Sequence, residues 1–322
     1  GADAGNYSQN STATTTANIT RRPLTVTGTF TVANRPYDAT TDATSQITVP
    51  VSAGLSDVQS GDDAILTGTP IFTFAQSTAG NSIAISTSGY SVTGTDAANY
   101  SLTQPSFSAN ITQRPLTIGG TLSVTSSKVY NRSTGAVISD TSLLTLVNVP
   151  DGDAGNPSKV ALTSLTATYD TKNVGTNKAV NVATASLTGS TASNYTITTT
   201  GAPTTTADIT QRLITLGFTL SNRIYDGTVN ASVSFTDTRI SGDLLTVSGT
   251  PTFADKNVGA NKTVTASNMS ISGTDAANYS FNTTATSTAS IQLRTLNVTI
   301  AASNKTYDGN SSASVVYSDN RV

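Results

Sequence analysis

The sequence predicts an all-β chain of tandem modules, and three observations carry that reading: a phrase that recurs about every ninety residues, a strand-favouring composition, and turn signals spaced about ten residues apart. The phrase is Ala98-Asn99-Tyr100-Ser101, followed within a dozen residues by Asn110-Ile111-Thr112-Gln113-Arg114-Pro115-Leu116. Its tyrosine recurs as Tyr7, Tyr100, Tyr195 and Tyr279, so the intervals are 93, 95 and 84 residues by subtraction. That is the size of a small β domain and too long for one turn of a solenoid.

Composition points the same way. Thr, Val, Ile and Tyr suit a pleated, half-exposed surface, whereas Asn, Asp, Gly and Ser supply turns. All 19 acidic residues are Asp, there is no Cys, His or Trp, and the formal net charge is −2. Charged residues make up only 11%, which excludes a basic nucleic-acid surface. Without Cys there is neither a disulfide framework nor a thiolate metal site. No apolar run approaches the roughly 20 residues of a membrane span.

The period divides the 322 residues into the end of one module (1–20), three full modules (21–112, 113–210 and 211–292) and the start of another (293–322). In the third module, the apolar and β-branched run Leu213 to Leu220 is a first strand, and Tyr225-Asp226-Gly227 signals a tight turn. Ala231 to Phe235 alternates as a second strand, and Ser241-Gly242-Asp243 interrupts it. Leu244 to Val247, Thr252-Phe253, Thr263 to Ser272, Tyr279 to Phe281 and Ala289 to Ile291 follow as further strands. About seven strands with regular turns are the pattern of a Greek-key or immunoglobulin-like β-sandwich. The junctions carry no Gly/Ser-rich spacer, so last and first strands run almost directly together, which favours a rod-like array.

The Tyr225-Asp226-Gly227 and Tyr307-Asp308-Gly309 turns, the Asp255-Lys256-Asn257-Val258-Gly259 loop and the Asn-Tyr and Ile-Thr-Gln-Arg phrases resemble YDG/MBG-type repeats. The same positions read Tyr37-Asp38-Ala39 in the first module and Tyr130-Asn131-Arg132 in the second. The resemblance implies mostly-β, Greek-key modules of large secreted bacterial surface proteins of filamentous-haemagglutinin or adhesin type. It implies an extracellular location and a stalk that holds a binding region away from the cell.

Chemistry has few residues to work with. Lacking His and Cys, the chain has no ordinary near-neutral general base, no thiol nucleophile and none of the commonest transition-metal ligands. Its Asp residues fall where turns are expected, so they read as turn formers rather than glycosidase carboxylates. No enzymatic activity and no cofactor is expected. Calcium is the one ion to weigh, with Asp62, Asp63, Asp96, Asp151, Asp153 and Asp275 as candidate ligands, but no segment concentrates the six to eight oxygens typical of such sites. Lys172, Lys178, Lys256 and Lys262 lie beside Asn residues, the ingredients of an isopeptide bond, yet the first module has no Lys.

The turn tyrosines Tyr37, Tyr130, Tyr225 and Tyr307 are expected to put their rings in the core with hydroxyls at the rim. Tyr7, Tyr100, Tyr195 and Tyr279 are expected to act like the corner tyrosine of immunoglobulin-like sandwiches. Arg22, Arg114, Arg212 and Arg294 recur at the junctions, either bridging to the neighbouring module or guarding an edge strand. Expected partners are the neighbouring modules, then like chains in a fibre completed by strand exchange, or a host or cell-surface glycan or protein reached through loops such as 40–48 and 150–157.

Overall fold

A computed structural model describes all residues 1–322 and contains no α-helix, only strands and five single-turn 3₁₀ segments. The chain is thus all-β, but its sheets are mixed rather than antiparallel throughout. In each repeat the first strand pairs in parallel with the Asn-Tyr strand: Arg22–Thr27 with Tyr100–Thr103, Arg114–Gly120 with Tyr195–Thr198, and Arg212–Ile214 with Tyr279–Phe281. The register is the same each time, with the junction arginine opposite the Asn-Tyr tyrosine.

A second parallel pair forms lower in each repeat. The short strand before the Tyr-Asp turn lies beside the last strand, as Arg35–Pro36 on Ser106–Thr112, Ser127–Val129 on Thr204–Thr210, and Arg223–Ile224 on Ala285–Gln292. These pairs edge larger sheets, whose central member is a long strand, Gly175–Thr188 in the second repeat and Gly259–Ser272 in the third. In the first repeat the long strand is broken into Gly80–Ser88 and Ser91–Thr93. A bulge interrupts the long strand at Ser82, Asn177 and Asn261, all with positive φ. Each bulge N–H is accepted by the side chain that opens the Ile-Thr phrase: Asn110, Asp208 and Ser290 respectively. Otherwise these amides would be lost to the ladder.

Residues group into two compact units: 1–120 with 144–165 and 184–202, and 121–143 with 166–183 and 203–322. Each unit therefore draws on two consecutive repeats, and the second repeat contributes to both. In the first unit the reason is visible in the core. Phe72, Phe74, Ile83, Ile85 and Ile111 of the first repeat are covered by Leu116, Val160 and Tyr195 of the second. One face of a sheet in one repeat is buried by strands of the next, and burial of a large apolar side chain stabilises by about 1.5–3 kcal/mol.

Candidate functional site

The Tyr-Asp turn is built identically from different residues. A basic residue two positions before the tyrosine (Arg35, Lys128, Arg223 or Lys305) reaches the Asp or Asn that follows it: Asp38, Asn131, Asp226 or Asp308. That side chain also accepts the N–H of the residue two positions on, Thr40, Ser133, Thr228 or Asn310. Asn131 thus serves as well as Asp for the turn itself, because an amide oxygen accepts the same N–H. The position between is left-handed in all four turns, with φ of 67° at Ala39, 64° at Arg132, 80° at Gly227 and 81° at Gly309. In three repeats the cation also stacks on an aromatic ring, Arg35 on Phe74, Lys128 on Tyr169 and Arg223 on Phe253, at 4.8–5.0 Å from the ring centroid.

This turn delivers its tyrosine to the next repeat. The Tyr37 hydroxyl donates to Asp153 Oδ2 at 2.9 Å, and the Tyr195 hydroxyl donates to the same oxygen at 2.7 Å. Their rings meet edge to face with centroids 5.2 Å apart. One repeat later the arrangement recurs: Tyr130 donates to Asp243 Oδ2 at 3.0 Å, Tyr279 donates to the same atom, and the rings lie 5.5 Å apart. The other carboxylate oxygen faces a cation, Lys159 Nζ at 3.1 Å from Asp153 Oδ1 and Arg132 Nε at 2.8 Å from Asp243 Oδ1. Asp153 is 1% exposed and Asp243 4%.

Burial pushes the Tyr37 hydroxyl up to about 12, with the Asp153 carboxylate adding to the shift. Burial likewise raises Tyr195 and Tyr130 well above the ordinary tyrosine value, again reinforced by their aspartate partners. For Asp153, burial alone would raise the carboxyl; hydrogen bonds from Tyr195, Thr191, Lys159 and Tyr37 more than offset that and hold it below the usual range.

The asparagine of each Asn-Tyr phrase adds a second tie. Asn194 and Asn278, each 2% exposed, accept through Oδ1 the backbone N–H of Ala79 and Val174, both 2.9 Å away in the preceding repeat. Gln113 and Gln211 hold the residue before each asparagine by donating to the Ser193 and Ala277 carbonyls. Arg114 bridges repeats, with Nε to the Asn148 carbonyl at 2.6 Å and Nη1 to the Tyr37 carbonyl at 3.4 Å. Arg22 instead donates to Gln59 of its own repeat, and Arg212 and Arg294 are exposed.

The remaining sequence candidates lie apart from these clusters. Tyr100 is buried and donates to Asp62 at 2.7 Å; Tyr225 is half-buried, and Tyr7 and Tyr307 are exposed. Rather than turning back to nearby backbone carbonyls, the Tyr100, Tyr195 and Tyr279 hydroxyls donate to carboxylates about forty residues upstream, at separations of 38, 42 and 36. Asp96 and Asp275 accept the backbone N–H of Asp63 and Leu244, while Asp151 is exposed. No group of three or more acidic side chains is placed to hold a metal ion. Lys178 and Lys262 pair with Asp170 and Asp255, and Lys172 with Asp275.

Of the site's central residues, Asp243 is legible in the sequence as a turn former, and Asp153 as a turn former and candidate calcium ligand. The signal that finds them is a Gly-Asp pair, Gly61-Asp62, Gly152-Asp153 and Gly242-Asp243, set about forty residues before each Asn-Tyr.

Chemically, the arrangement holds surfaces together. Each buried carboxylate has two tyrosine hydroxyls on one oxygen and a cation beside the other. The fold and this repeated cluster define a tandem all-β repeat protein whose neighbouring modules are partners within one chain. The sequence matches the YDG domain family over residues 20–107, 112–206 and 210–288, and the chain belongs to that family as three consecutive copies. No curated protein and no solved structure matches it. No helix is long and apolar enough to cross a membrane.

Proposed function

We propose that this chain is a non-enzymatic stalk or spacer segment of a secreted bacterial cell-surface adhesin or extracellular fibre, holding a binding region away from the cell. The observation that carries the reading is the shared Tyr-Asp-Tyr cluster, by which one repeat completes the core of the next. A flexible string would need no buried polar tie of this kind, whereas a stiff spacer does. The finer description of each repeat as a Greek-key or immunoglobulin-like sandwich in a rod-like array belongs to the same proposal, as does the extracellular location.

Small-angle scattering and negative-stain imaging test it. A concentration-independent thin rod, shortened and bent on Asp153→Ala, supports the stalk. A collapsed globule, or a wild-type chain as flexible as the variant, overturns it.

A second reading, a glycan-binding module, is favoured by one feature of the third repeat. A polar cavity of about 880 Å³ there is lined by Thr219, Asn222, Arg223, Asp226, Asn230 and Phe253 among others. Hydroxyls, amides and a guanidinium over an aromatic ring suit a polyhydroxylated ligand. Titration against a glycan panel, with Asn230→Ala as the comparison, decides it: binding lost in the variant supports this role, and no binding removes it.

A further inference from the structure

The two completed clusters take their cation from opposite sides. Around Asp153 it is Lys159, from the same repeat as the carboxylate. The turn brought by the preceding repeat there ends in Ala39, whose methyl occupies the space a Cβ on Gly152 would need, 2.9 Å away. Around Asp243 the cation is Arg132, the third residue of the preceding repeat's Tyr130-Asn131-Arg132 turn. Its guanidinium also donates to the Ser241 carbonyl and lies where a Cβ on Gly242 would fall, with Nη1 2.4 Å away.

Lys159 has an identifiable counterpart in the other repeats. A Cβ on Gly189 would lie 2.3 Å from the Lys159 carbonyl oxygen, one on Gly273 2.3 Å from that of Leu244, and one on Gly94 2.2 Å from that of Asp63. Lys159, Leu244 and Asp63 are therefore the same position in three successive repeats. Where that position is Lys, the incoming turn carries Ala39; where it is Leu, the incoming turn carries Arg132.

We propose that these two positions form a pairing code between repeats, under which a completed cluster takes one cation, supplied from either side. A buried carboxylate with two neutral O–H donors and no cation is an uncompensated charge, and two cations on one carboxylate leave a surplus of like charge. The code decides which repeats accept each other. The Arg132 turn fits a repeat with Leu at the second position and is mismatched to Lys159; the Ala39 turn is the reverse. Asp62, with Asp63 at the second position, fits a repeat whose turn carries Lys or Arg third. This inference concerns the order of repeats and stands whether or not the chain is a stalk.

Urea unfolding of the full chain, followed by tyrosine fluorescence, tests it with two cycles: Arg132→Ala, Leu244→Lys and their combination, and Lys159→Leu, Ala39→Arg and their combination. Arg is tolerated at the left-handed turn position, as Arg132 itself shows. Arg132→Ala and Lys159→Leu should each lower the folding equilibrium constant about ten-fold. Each combination should return it to within about two-fold of wild type, while Leu244→Lys or Ala39→Arg alone brings no gain. The code is overturned if the combinations are no better than the single losses, or if the added cations stabilise equally in both backgrounds.

Discussion

Tyr37 and Tyr195 belong to successive repeats and donate to one and the same oxygen of Asp153, at 2.9 and 2.7 Å. Tyr195 finds this acceptor within its own repeat, whereas the Tyr37 hydroxyl is satisfied only by the loop of the next one. The carboxylate in turn tolerates burial only because both hydroxyls and a cation converge on it. The same relation between Tyr130 and Tyr279 at Asp243 makes it a rule of the array rather than an accident of one loop.

Removing the shared acceptor should therefore cost more than removing an unshared one. Asp153→Ala strands two buried hydroxyls, and a loss of about 3 kcal/mol or more is expected, since each orphaned buried polar group costs about 1–3 kcal/mol. Asp62→Ala removes the acceptor of Tyr100 alone, with an expected loss of about 1 kcal/mol. Urea denaturation of both variants checks the ranking, and equal losses would show that sharing the oxygen adds nothing.

Much of this architecture is legible in the residues themselves. The alternation of strand and turn residues marks the all-β class, and the spacing of Tyr100, Tyr195 and Tyr279 marks the repeats. What the residue pattern hides is which side chains meet. Parallel pairing of Arg114–Gly120 with Tyr195–Thr198 joins the two ends of a repeat, and no local pattern signals a contact at that separation. Asp153 reads as one more loop acid because turn formation and a buried ion-pair role call for the same residue type. Its Gly-Asp recurrence becomes meaningful only once Tyr195 is known to lie above it. Ala39 and Arg132 look like departures from a Gly-bearing turn, yet they keep its backbone conformation. Their side chains differ because the loops they meet differ.

Alkali should loosen these clusters in a defined window. Tyr37 titrates near 10 in the unfolded chain and is pushed up to about 12 in the folded one. Its contribution to stability is fully present below about pH 10 and is lost as pH rises through about 12. Absorbance of tyrosinate should show Tyr37, Tyr130, Tyr195 and Tyr279 ionising only above the ordinary tyrosine value and together with loss of structure. A single smooth titration of all 11 tyrosines near pH 10 would contradict the buried clusters.

Two glycines at positive φ should respond very differently to alanine. Gly189 has φ 114°, and a Cβ there would sit 2.3 Å from the Lys159 carbonyl oxygen and 2.9 Å from the Val160 nitrogen. Backbone atoms cannot swing aside, so Gly189→Ala should cost about 3 kcal/mol or more. Gly155 has φ 70° and open space around it, so Gly155→Ala carries only the left-handed penalty of about 1 kcal/mol. Thermal unfolding distinguishes them; similar shifts would mean that the contact at Gly189 relaxes.

The asparagine tie offers the most local check. Asn194 Oδ1 accepts the Ala79 N–H at 2.9 Å, and Asn194 is buried, whereas Asn99 in the first repeat is exposed. In Asn194→Ala the half-buried Ala79 amide loses its acceptor, at a cost of about 1 kcal/mol. Its hydrogen exchange should accelerate by about ten-fold or more, while amides of the Ser106–Thr112 strand keep their protection. Asn99→Ala should change neither. Faster exchange spread evenly over the first repeat would instead mean that Asn194 supports the fold at large, not the single bond by which one repeat holds the loop of the one before it.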